Sequence, residues 1–113
     1  MVTNLDFLKS FSKNDTSKMK KYIEMYLTTA NEKSATMINA EKNKDFETLK
    51  IAAHTMKSQA RYMGIVSLDS LIINIEHICN QQQETEKLPD LVKQVTAILA
   101  ESINELSQVI KTL

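Results

Sequence analysis

One glycine, one proline and one cysteine occur in 113 residues. Each scarcity excludes something. An all-β fold needs turn residues at short intervals, and Gly64 and Pro89 cannot supply them. Neither GxxxxGK[ST] nor GxGxxG can be written with a single glycine, so there is no phosphate-cradling nucleotide loop and no sign of a kinase in its own right. Cys79 has no second cysteine to pair with; it falls on an apolar helix face, which reads as a buried, inert thiol. The formal net charge at pH 7 is zero, so nothing global points to nucleic acid or an anionic membrane, and any cationic effect must be local. No apolar run is long enough to span a bilayer. The first residues, with Asp6, Lys9 and Lys13, contain no signal-peptide core. A reducing, cytoplasmic setting is the expectation.

What remains is helical periodicity. Leu5, Leu8 and Phe11, with Phe7, suggest a short amphipathic helix that must pack on something to persist. After a polar break, with Asp15 or Thr16 as cap, a second helix runs from about Ser17 to Glu41, with Tyr22, Ile23, Tyr26, Leu27, Ala30, Met37 and Ile38 in its apolar stripe. Glu41-Lys42-Asn43-Lys44 is a tight polar connection. Asp45 caps a third helix, Phe46 to Met63, which Gly64 terminates because a left-handed C′ position suits a residue without Cβ. Ser67 is the candidate cap of a fourth helix, with Asp69 in its first turn and Leu68, Leu71, Ile72, Ile75, Ile78 and Cys79 on its apolar face. That helix fades in Gln81-Gln82-Gln83-Glu84. Pro89 suits the first turn of a last helix carrying Leu91, Val92, Val95, Ile98, Leu99, Ile103, Leu106, Val109 and Ile110. Short loops make the long helices antiparallel neighbours. The expected fold is all-α: an up-down-up-down four-helix bundle with a short extra N-terminal helix, one domain over residues 1–113. Its apolar faces can all be buried within one bundle, so the expected state is a monomer.

The third helix carries the chemistry. On a wheel of 100° per residue, Leu49, Ala52, Ala53, Met56, Ala60 and Met63 form the buried arc, and His54 stands on the opposite side. Lys50, Lys57, Ser58 and Arg61 lie one or two turns from it. Ile51 and Tyr62 also point outward, an apolar pair beside an outward histidine. A neutral imidazole is a good nucleophile near pH 7, since imidazole titrates near 6.5. Phosphoryl transfer needs position and positive charge more than covalent help, and Lys57, Lys50 and Arg61 supply the charge while Ser58 offers a hydroxyl. Other chemistries fit poorly. Zinc needs three or four ligands, and the other histidine, His77, belongs to another helix and reads as a surface residue. The Glu-x-x-His pairs of di-iron bundles are missing, and nothing suggests the oxyanion site of a hydrolase.

Ala53-His54-Thr55-Met56-Lys57-Ser58, ending at Gly64, resembles the signature of histidine-containing phosphotransfer (HPt) domains: Ala-His-x-Leu-Lys-Gly with a second glycine ten residues after the histidine. Asp45-Phe46-Glu47-Thr48-Leu49 matches the acidic-aromatic start of the active helix, and Leu68, Leu71 and Ile75-Glu76 match the helix beside it. Ser58 stands where the family has glycine, and Met56 where it has leucine. The resemblance implies a phosphorelay intermediate without kinase activity of its own. His54 would accept a phosphoryl group from the aspartate of a response-regulator receiver domain and pass it to another. Lys57 would neutralise the phosphoryl charge, and Glu76 would orient the imidazole. The chain itself would need no cofactor, since the receiver brings Mg²⁺. Partners would be receiver domains, free or in a hybrid sensor kinase. The alternative is a helical module that docks on receivers without chemistry. In either case the docking surface would be Ile51 and Tyr62, with Phe7 and Phe11 of the N-terminal helix.

Overall fold

The computed structural model describes all 113 residues. Five α-helices follow one another: α1 (Asp6–Phe11), α2 (Thr16–Lys42), α3 (Phe46–Tyr62), α4 (Leu68–Gln81) and α5 (Leu88–Ile110), the last preceded by a single 3-10 turn over Thr85–Lys87. The four long helices form a ring in which α2 packs on α3 and α5, and α4 packs on α3 and α5. This is the expected antiparallel bundle, 45 Å long and about 20 Å across.

The boundaries have local causes. The Asp15 carboxylate accepts from the amides of Ser17 and Lys18 and starts α2. Asp45 does the same for α3 through the Thr48 amide, and its second oxygen takes the Thr48 hydroxyl at 2.7 Å. Burial costs Asp45 nothing comparable to these bonds, which hold its carboxyl below the usual range. Helix α2 extends one residue beyond each expected end, so the connection to α3 tightens to Asn43 and Lys44, the latter in the left-handed region at φ +55°. Ser67 departs from expectation. Its backbone is already helical (φ −65°, ψ −18°) and its hydroxyl caps nothing. A capping side chain reaches the first-turn amides from an extended residue, whereas here the Val66 carbonyl takes the Asp69 amide. Pro89 sits in the first turn of α5, where its missing N–H is harmless.

The core is aliphatic, and the share of it that α2 and α3 contribute is rich in Met and Ala. In α2 the buried arc is Met19, Ile23, Tyr26, Ala30, Met37 and Ala40. Tyr22 and Ile38, expected in that stripe, lie at its outer edges and remain exposed. A stripe wide enough to reach them exceeds the arc that two neighbouring helices can cover. Tyr26 is fully buried, and its hydroxyl meets Ser102 Oγ of α5 at 2.7 Å. Burial outweighs that bond and pushes the phenol up to about 12. Cys79 is buried as expected, and its surroundings push the thiol up, away from reactivity. No helix is long and apolar enough to cross a membrane.

Candidate functional site

The packing of α3 decides the site. Leu49, Ala52, Ala53, Met56 and Ala60 face the core, so the residues between them on the opposite arc must face outward. His54 is one of these, its side chain 63% exposed. Across the α3–α4 groove stands Glu76. Its neighbours Ile75 and Ile78 are buried, which turns the carboxylate toward the groove rim.

Glu76 binds two residues of α3 at once. His54 Nδ1 lies 3.3 Å from Oε2, and Lys57 Nζ lies 3.0 Å from Oε1. Partial burial opposes the charge on Glu76. The hydrogen bonds and charges of Lys57 and His54 together overcome it and hold the carboxyl below its ordinary value. When the imidazole is neutral, a carboxylate at Nδ1 favours the proton on that nitrogen and leaves the lone pair on Nε2. An exposed nucleophilic nitrogen with a fixed tautomer beside an ammonium can take and release an anionic electrophile.

The other cations divide. Lys50 pairs with Glu47 at 3.2 Å and lines a shallow depression of about 300 Å³ together with Ile51, His54, Thr55 and Glu76. Ser58 and Arg61 instead line a neighbouring hollow of about 500 Å³ with Phe7 and Tyr62. Arg61 is tied to Asp69 of α4, Nε to Oδ1 at 3.4 Å. The structure therefore brings His54 and Lys57 each into contact with Glu76, with Lys50 lining the same depression as His54, and sets Ser58 and Arg61 on the adjoining surface. His77 is exposed on α4, and no group of three or more His, Cys, Asp or Glu side chains converges on a point.

Beside this lies an aromatic surface. Phe7 and Phe11 stack with centroids 6.0 Å apart, and Tyr62 packs on both, at 5.5 and 5.8 Å. Tyr22 of α2 meets Phe11 edge-on at 5.5 Å. All four rings, with Ile51 and Met25, remain substantially exposed. Tyr22 was expected in the buried stripe of α2 and Met25 was not singled out; their i, i+3 spacing was the available signal that they share a face. Gly64 has the left-handed φ of +68° that was expected, with Ile65 N–H reaching Ala60 O and Gly64 N–H reaching Arg61 O. A second reason for glycine was invisible in the sequence: a Cβ there would overlap the carbonyl oxygen of Asn4 and approach Asn4 Cβ to 2.8 Å.

A four-helix bundle that presents an exposed histidine in contact with a carboxylate of the neighbouring helix has the layout of a histidine phosphotransfer module. The family model described as Hpt domain matches residues 21–109, and the chain belongs to that family. The crystal structure of the HPT domain of a sensor hybrid histidine kinase from Shewanella has the same fold. The match has a TM-score of 0.84 over 99% of this chain and 96% of that one, at 19% identity. No curated protein matches the chain. Its role is that of a phosphorelay intermediate in two-component signalling, where Hpt domains act with receiver domains and hybrid kinases.

Proposed function

We propose that His54 is the phospho-acceptor, and that it takes the phosphoryl group from a receiver aspartate and passes it to another. In the forward step the Nε2 lone pair attacks phosphorus. The N–P bond forms, the acyl-phosphate P–O bond breaks, and the receiver's aspartate leaves as carboxylate. The Nδ1 proton stays on the imidazole, where Glu76 stabilises the positive charge that develops on the ring. Donation is the same path reversed. Lys57 lies at the transferring group and offsets its charge. Lys50 adds charge from the adjoining depression, while Ser58 and Arg61, farther along α3, act on the approaching anion from the next hollow. Mg²⁺ belongs to the receiver, and the chain itself holds no metal or cofactor. Ile51, Tyr62, Phe7 and Phe11 form the apolar surface on which the receiver docks. The module acts as a cytoplasmic monomer, with neither nucleic acid nor membrane as partner.

The observation that carries this reading is the contact of Glu76 with Nδ1 of a largely exposed His54, which leaves Nε2 as the nitrogen available to an incoming group. The exposed aromatic surface would equally serve a module that binds receivers without chemistry. One experiment separates the two. Phosphorylated receiver domains with Mg²⁺ are presented to the native chain and to His54→Gln. Label on the native chain only, labile in acid and stable in base, is the expected result. Binding by both proteins without label on either would replace the carrier with the docking module.

A further inference from the structure

We propose that Glu105 of α5, at the far side of the bundle from His54, is a positioning residue: a latch that holds residues 2–5 and thereby keeps the α1 aromatic pair seated on Tyr62. The proposal rests on the docking reading above for its functional consequence, but its structural content stands apart from it.

Helix α1 has only six residues and one fully buried side chain, Leu8. A helix that short cannot maintain itself, and half of each phenylalanine it carries lies in solvent. Something else must set its place. The segment before it is bound at two points on different helices. At the first, Glu105 takes three donors: Val2 N–H to Oε2 at 2.8 Å, Thr3 N–H to Oε1 at 3.1 Å, and the Thr3 hydroxyl to Oε1 at 2.7 Å. At the second, Asn4 N–H donates to Met63 O at 3.0 Å, where the chain crosses Gly64 so closely that no side chain fits between them. The Asn4 side chain then receives the Asp6 amide at 2.9 Å and starts α1. Glu105, Thr3, Asn4 and α1 thus form one continuous line of contacts ending at Phe7, whose ring lies 5.5 Å from Tyr62.

Glu105 is half-buried and no basic side chain pairs with it. Both oxygens are spent on the strap. That use distinguishes it from the other acids of α5: Glu101 is exposed, and Asp90 bonds Gln94 of its own helix. Charge-assisted bonds from two successive backbone amides are among the stronger local restraints available to a terminal segment.

The test compares the native chain with Glu105→Ala and Glu105→Gln. In Glu105→Ala, amide protection over residues 2–12 and the ring contacts of Phe7 and Phe11 with Tyr62 should be lost in NMR spectra, while α2–α5 keep theirs. Glu105→Gln, which retains one carbonyl oxygen for Thr3, should fall between. Unchanged ring contacts in Glu105→Ala would overturn the latch. In transfer from a phosphorylated receiver domain, Glu105→Ala should raise KM about tenfold with kcat unchanged, and should add nothing in a Phe7→Ala/Phe11→Ala background. An unchanged KM, or an effect that persists in that background, would overturn the positioning role. A native chain that no receiver labels removes the carrier reading instead, and the latch is then decided by the spectra.

Discussion

Glu76 on α4 and Lys57 on α3 are joined by an ion pair of 3.0 Å whose two side chains are only 20% and 17% exposed. The cation beside His54 is therefore held in place before any partner arrives, and the carboxylate that holds it also contacts the imidazole. Neither long side chain has to be ordered during transfer, which is the step that weakens most surface ion pairs. On the proposed reading, an incoming phosphoryl group would compete with Glu76 for Lys57.

Removing Glu76 should therefore act on transfer more than on folding. In Glu76→Ala the ring is free to turn and either tautomer is available. Single-turnover transfer to His54 should slow by about tenfold, or about 1.4 kcal/mol of lost transition-state stabilisation. Receiver binding should persist. Native-like transfer by Glu76→Ala would show that the 3.3 Å contact with Nδ1 has no part in the chemistry.

Lys57→Ala should also slow transfer, by loss of charge at the phosphoryl group, while Lys57→Arg should recover part of the rate. Its effect on stability should be about 1 kcal/mol or less in denaturant titration, the scale of a partly exposed ion pair. A loss of several kcal/mol would mean that Lys57 is a structural residue first.

The same cluster gives a pH dependence whose sign follows from Glu76. Its folded value lies below the ordinary 4.5, so the ionised form favours the native state. That contribution is complete above the unfolded value and is lost as pH falls through the lower, folded one. The stability advantage of the native chain over Glu76→Gln should thus be constant toward neutrality and shrink below about pH 4.5. An advantage that grew with acidity would contradict the assignment of Lys57 and His54 as its stabilising partners.

Gly64→Ala combines two penalties, a left-handed φ and overlap with the Asn4 backbone. The conformational part alone is about 1–2 kcal/mol. The overlap can be relieved by lifting the strap, so the expected signature is a lowered denaturation midpoint together with weaker amide protection before Phe7. A midpoint shift with the strap still protected would place the strain within the α3–α4 turn alone.

Much of the bundle was legible because helices write their faces into sequence. Asp15, Asp45, Gly64 and Pro89 each sit where elementary backbone chemistry assigns them, and the 3.6-residue period separated His54 from the buried arc of α3. Ser67 misled because a serine before an apolar run looks the same whether its own backbone is extended or helical. Tyr22 and Ile38 misled because periodicity reports a face but not how much of that face two neighbours will cover.

By itself, the sequence determined that the chain is a helical bundle, that it lacks a nucleotide loop, and that one histidine faces outward among cations. These are local properties, fixed by side-chain spacing along single helices and by the turn residues between them. Only the tertiary structure decided which cations stay near His54, since Lys57 and Arg61 are held by acids on α4 at positions set by helix packing. It likewise decided that Phe7 and Phe11 meet Tyr22 and Tyr62, and that Glu105 reaches residues a hundred positions away. Contacts between helices depend on their rotation and register, and no periodicity within one helix encodes those.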